Sequence, residues 1–128
     1  MHSHHGIVLF AHGSRDPLWP APIEAVRQHI EAHNPQAAVR CAYLELTPPT
    51  LAYVAQELVE QGARTITVVP MFLGTGKHAR EDLPVLMSEL RSAHPQVQFT
   101  VQVAIGEDPR MTALMASIAC TPPAALPV

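Results

Sequence analysis

The feature that most constrains this chain is a strict alternation of two hydrophobic periods. Strand-like apolar runs at 7–11, 38–44, 65–72 and 99–105 each precede a segment whose apolar residues recur at helical spacing. The helical stripes are Ile23, Val26 and Ile30; Leu51, Val54, Ala55 and Leu58; Leu83, Leu86, Met87 and Leu90; and Met111, Leu114, Met115 and Ile118. Strands that alternate with helices in this way build an α/β fold, a parallel sheet wrapped by helices.

Strand composition orders that sheet. Ile7 to Ala11 and Ile66 to Phe72 are nearly all apolar, as strands covered on both faces must be, so the first and third strands are predicted to be central. Residues 39–43 and 99–103 alternate with polar residues and suit edge strands with one wetter face. A four-stranded parallel sheet in the order 2-1-3-4 follows, with helices on both faces. Right-handed crossovers put the first helix on one face and the later helices on the other, and the connections diverge between strands 1 and 3. Ligands of open α/β sheets bind at such a divergence, beyond the carboxyl ends of the strands.

Punctuation agrees with these elements: Pro35 follows the first helix, Pro48-Pro49 opens the second, Gly62 closes it and Pro95 follows the third. Residues 1–120 are read as one domain, and 121–128 as a proline-rich tail that cannot extend the last helix. The chain has 128 residues, 48% of them hydrophobic, enough for one core. A net charge of -3 and the absence of any Lys/Arg run argue against nucleic acid as a partner. Cys41 and Cys120 have neither zinc-finger spacing nor the density of a disulfide scaffold. No apolar stretch approaches the roughly 20 residues that span a bilayer, and the start lacks a signal-peptide pattern, so a cytoplasmic location without membrane contact is expected. His2, His4 and His5 crowd the first five positions, either as a loose or tag-derived start or as a metal-catching tail.

Two loops are predicted to open onto the crevice: His12-Gly13-Ser14-Arg15-Asp16 after strand 1 and Gly74-Thr75-Gly76-Lys77-His78 after strand 3. Adjacent strands lie about 4.8 Å apart, so His12 and His78, 66 positions apart in sequence, approach one ligand from two sides. Neutral imidazole both ligates borderline divalent ions such as Co, Ni, Fe and Zn and accepts protons near neutral pH. Two strong ligands fall short of a permanent zinc site, which suits a metal in transit. Glu45, in "YLEL" at the end of strand 2, is the third ligand candidate. Arg15, Lys77 and Arg80 suit an anionic ligand, and Leu44, Met71, Phe72 and Leu73 suit an apolar wall. "GTGK" is too short for a phosphate loop, and Ser14 lacks the surroundings of a nucleophile elbow. "AHGSR" is similar to the Arg-His-Gly motif of histidine phosphatases, but Ala11 stands where that family needs arginine.

"AHGSRDP" at 11–17 together with "PMFLGTGKHAREDLP" at 70–84 resembles the small sirohydrochlorin chelatases, the short CbiX type of the class II tetrapyrrole chelatases. "YLELTPPTL" at 43–51, "QGARTITVVP" at 61–70 and "IGEDPRMTALM" at 105–115 extend the resemblance over nearly the whole chain. It implies ATP-independent insertion of Co, Fe or Ni into sirohydrochlorin, for cobalamin- or siroheme-type biosynthesis, with no cofactor beyond the metal substrate. It also implies that His12 and His78 are the metal-binding and catalytic residues and that the chain pairs as a homodimer. Ala11 replaces the glycine common before the first histidine. A metal or tetrapyrrole carrier using the same cleft is the main alternative, and a histidine phosphatase the weaker one.

Overall fold

The computed structural model describes residues 4–122. Its elements run β1 (His5–Ala11), α1 (Ala21–His33), β2 (Ala38–Tyr43), α2 (Leu51–Glu60), β3 (Thr65–Pro70), α3 (Lys77–Ala93), β4 (Gln98–Val101) and α4 (Pro109–Cys120), with a 3-10 turn at Ile105–Glu107. The strands are parallel and ordered β2-β1-β3-β4, as composition predicts. His2 and most of the proline-rich tail, from Pro123, lie outside the described residues.

The two faces of the sheet are packed unequally. Under α2 and α3, Val8, Phe10, Ala42, Ile66, Val68 and Phe99 meet Leu51, Val54, Leu58, Met87 and Leu90 in one continuous core. The Thr50 side chain caps α2 by accepting the Tyr53 N–H at 3.2 Å, which closes one of the orphan donors of the first turn. On the other face Leu9, Ala11, Val39, Cys41 and Tyr43 are buried with Ile23 and Ile30 of α1 packed beside them. Here α1 and α4 bury no residue fully. An apolar groove of about 370 Å³ runs along the sheet between them, lined by Ile7, Val26, Ile30, Val69, Met71 and Met111 among others.

Four expectations change. The last helix shares the face of α1, not that of α2 and α3; it follows the final strand and joins no pair of strands, so crossover handedness does not govern it. β3 is half-exposed at Thr65, Thr67 and Val69, the last two because they line the groove, although its run reads as covered on both sides. β2, expected to keep one face wet, is buried at Cys41, Ala42 and Tyr43, since α1 and α2 press on it from both sides. α3 begins at Lys77, six residues before the apolar stripe, with Ala79 buried in its first turn and Pro84 inside it. Proline removes one intrahelical bond, and packing of Leu83, Leu86, Met87 and Leu90 on the core carries the helix through. Lys77, His78 and Arg80 therefore stand on a helical turn and not in a loop.

Candidate active site

The connections from β1 and β3 part beyond the carboxyl ends of the strands, the position at which open α/β sheets bind ligands. Past the end of β1 the ladder continues for two residues: the Leu44 N–H donates to the Ala11 carbonyl at 2.9 Å and the Glu45 N–H to the His12 carbonyl at 3.0 Å. His12 is thus pinned through its backbone. Its ring stacks on Phe72, with centroids 4.3 Å apart and planes 28° apart, and Phe72 in turn leans on Phe10 at 6.2 Å. The imidazole plane is set by the core beneath it.

Gly13 has φ +99°, and a Cβ there would collide with the Glu45 carbonyl, so only glycine lets β1's continuation run this close to β2's. The chain then turns into α1 through local hydrogen bonds, the Asp16 N–H to the Ser14 hydroxyl at 3.0 Å and the Leu18 N–H to the Asp16 carboxylate at 2.9 Å. Trp19 meets Tyr43 edge-on at 6.1 Å, tying this turn to β2.

The second lip is braced from two directions. The Gly106 N–H donates to the Phe72 carbonyl at 2.8 Å, and a Cβ on Gly106 would strike the Leu73 backbone. The Thr75 hydroxyl donates to Glu107 at 2.8 Å, while the Arg80 guanidinium donates to the Thr75 carbonyl at 3.1 Å. Thr75, Gly106 and Glu107 are the positioning residues that sequence reasoning missed. Their signal was a glycine and an acid just ahead of Pro109, in a stretch with no helical period.

His78, the second residue of α3, is exposed, as are Arg15, Lys77 and Arg80. Among the described residues Arg15, Lys77 and Arg80 form no ion pair, so their charges are uncompensated, although Arg80 is held by the Thr75 carbonyl. Glu45 is also exposed, but among the described residues no three His, Cys, Asp or Glu side chains converge on a metal-sized point. The structure therefore does not bring Glu45 together with His12 and His78. Of the apolar wall candidates, Leu73 is 71% exposed at the rim, whereas Phe72 is 3% exposed and serves as the floor under His12. Leu44 is half-buried against the α2/α3 core, and Met71 lines the groove on the opposite face.

A four-stranded parallel sheet in the order β2-β1-β3-β4, with His12 just past β1 and His78 on the first turn of the helix that follows β3, defines a protein of the chelatase fold. Solved structures agree. A CbiX protein of Marinobacter aquaeolei superposes with TM-score 0.78 at 32% identity, over 90% of this chain and 93% of that one. The sirohydrochlorin chelatase SirB of Bacillus subtilis subspecies spizizenii, in complex with cobalt, gives 0.72 at 29% identity over 93% of this chain and 52% of its own. The CbiX family model matches residues 6–120, and the chain belongs to the CbiX family. Among curated relatives, the sirohydrochlorin cobaltochelatase of Sulfolobus acidocaldarius is 28% identical over 86% of this chain and 85% of its own. That of Methanocaldococcus jannaschii is 32% identical over 69% of this chain and 62% of its own. The sirohydrochlorin ferrochelatase of Bacillus subtilis is 32% identical over 80% of this chain but only 39% of its own length.

Proposed function

We propose that the chain inserts a divalent metal, Co, Fe or Ni, into sirohydrochlorin without ATP. The observation that carries this reading is a pair of imidazoles in the connections that follow the two central strands, His12 just past β1 and stacked on Phe72 and His78 exposed on the first turn of α3, in a family whose curated relatives are sirohydrochlorin chelatases. The overall exchange is one M²⁺ in and two pyrrole protons out. Histidine serves both halves: a neutral ring replaces water on the incoming ion, and a neutral ring accepts a pyrrole proton. The metal is substrate, and no further cofactor enters the scheme. Arg15, Lys77 and Arg80 meet the peripheral carboxylates of the tetrapyrrole, while Leu73, with Leu44 and Phe72 behind it, offers the ring an apolar seat. Glu45, one residue past the wall, acts as an outer ligand that meets the hydrated ion before the histidines do.

The test is spectrophotometric metallation of metal-free sirohydrochlorin with Co, Fe and Ni in parallel. A rate above the spontaneous reaction, lost in His12→Ala and His78→Ala with the fold retained, is expected. Binding of metal or tetrapyrrole with no acceleration overturns the enzyme and leaves a carrier.

The working unit we propose is a homodimer. α4 carries no charged residue beyond Arg110, yet Leu114 and Ile118 are 53% and 62% exposed; an uncharged helix of this kind is ordinarily covered. Relatives such as the Bacillus ferrochelatase are more than twice as long as the matched segment, so two copies supply what one long chain carries. Sedimentation of the full chain is expected to give a dimer that Leu114→Glu dissociates, and a monomer at micromolar concentration refutes it. Among the described residues no helix is long and apolar enough to cross a membrane. A cytoplasmic site of action is part of the same proposal.

A further inference from the structure

We infer that His29 and His33 form a second, exchange-labile site for a borderline divalent transition-metal ion, separate from the crevice. The two residues are four apart on α1, the spacing that puts side chains on one flank of a helix, and their rings already stack with centroids 4.2 Å apart and planes 28° apart. Two imidazole nitrogens bound to one ion at about 2.0–2.1 Å lie roughly 3 Å from each other, so a small rotation of each ring converts the stack into a chelate.

The hydrogen bonding prepares one of them. His33 Nδ1 lies 2.9 Å from the His29 carbonyl; a carbonyl only accepts, so Nδ1 carries the hydrogen and Nε2 is left with its lone pair. An N–H given to a backbone carbonyl is the outer-shell contact that fixes the tautomer of metal-ligating histidines. Both side chains are exposed. The charged residues of α1 are engaged elsewhere: Arg27 bridges Glu24 at 2.8 Å and Glu31 at 2.7 Å, which at 100° per residue lie on the opposite flank of the helix. No cation on the histidine flank repels the ion, and no carboxylate there locks it in. Water completes the coordination, and two protein ligands hold an ion that exchanges readily.

The site stands apart from His12. α1 runs back along the sheet and ends just before β2 begins at Ala38, opposite Gly6, whereas His12 lies beyond the far end of seven-residue β1, about 20 Å of strand away. Imidazole selects the same class of ion that the proposed reaction consumes, so this end of the molecule holds cargo-type ions outside the reacting crevice.

Titration of the full-length chain with Co²⁺ alone, followed by amide NMR, tests this directly. Paramagnetic broadening centred on residues 29–34, distinct from any at the crevice or at His4 and His5, is expected. His29→Ala and His33→Ala should each weaken it by more than the roughly 10-fold that losing an outer-shell partner costs. Both side chains are exposed on a helix and alanine suits the helix, so the variants keep the fold. Absence of broadening at α1, or broadening that survives in the double variant, overturns the inference. Either outcome is read independently of metallation, which tests the crevice.

Discussion

Gly13→Ala isolates how the backbone holds His12. At φ +99° an L-residue is strained by about 1–2 kcal/mol. The new methyl would also press on the Glu45 carbonyl, next to the bond between the Glu45 N–H and the His12 carbonyl, whose loss costs about 1 kcal/mol more. The sum is about 2–3 kcal/mol. With an unfolding entropy of about 2.1 cal/mol/K per residue, a chain of 128 residues has about 0.27 kcal/mol/K, so the melting temperature falls by about 7–11 °C. That leaves the variant folded at 25 °C, given usual domain stabilities of about 5–15 kcal/mol. Calorimetry gives the shift, and metallation at 25 °C gives the consequence for the site. Relief of the clash pushes the His12 and Glu45 backbones apart, so turnover falls by more than the population of folded protein does. A melting shift below about 3 °C, equivalent to less than about 1 kcal/mol, would refute the close approach of the two strand ends.

Other perturbations separate core, cap and thiols. Phe72→Ala removes a buried ring from under His12 and should cost about 3–5 kcal/mol by urea unfolding; a cost under 1 kcal/mol would mean that the ring is not core. Thr50→Ala removes the cap of α2 and should cost about 1 kcal/mol, with no change in metallation per folded molecule. Burial, aided by Glu24, pushes the Cys41 thiol from 9.0 up to about 12, and burial pushes the Tyr43 phenol from 10.0 up to about 12. Both groups hold their protons more tightly folded than unfolded, so their contribution to stability is level well below pH 9 and declines as pH rises from about 9 toward 12, while the unfolded chain ionises and the folded one does not. Urea midpoints across pH 7–11 check the sign, and thiol titration of the native protein should count exposed Cys120 first and Cys41 only on unfolding.

What could be read from the sequence divides along a physical line. Sheet order was legible because burial acts on composition. Val8, Leu9, Phe10 and Ala11 can all be apolar only in a strand covered on both sides, and that places β1 and His12 at the centre. His78 was legible as a residue of the connection after β3 but not as a helical one. The start of α3 is decided by Gly76 and by burial of Ala79, and neither a glycine nor an alanine carries a period. The bracing of the second lip was illegible for a related reason. Thr75 meets Glu107 across 32 residues, and a single hydrogen bond between two loops leaves no pattern in either. The half-open face is the sharpest case. Thr65, Thr67 and Val69 read as an ordinary strand, and the α4 stripe reads as an ordinary core-facing helix. Hydrophobic period says which residues seek cover but not whose surface provides it. Met111 and Met115, both half-exposed, with Leu114 and Ile118 keep the same spacing whether they close this sheet or a second copy of it. Met111 lines the groove of its own sheet while Leu114 and Ile118 stay exposed, and this half-open geometry, which the proposed homodimer would cover, is what no hydrophobic period encodes.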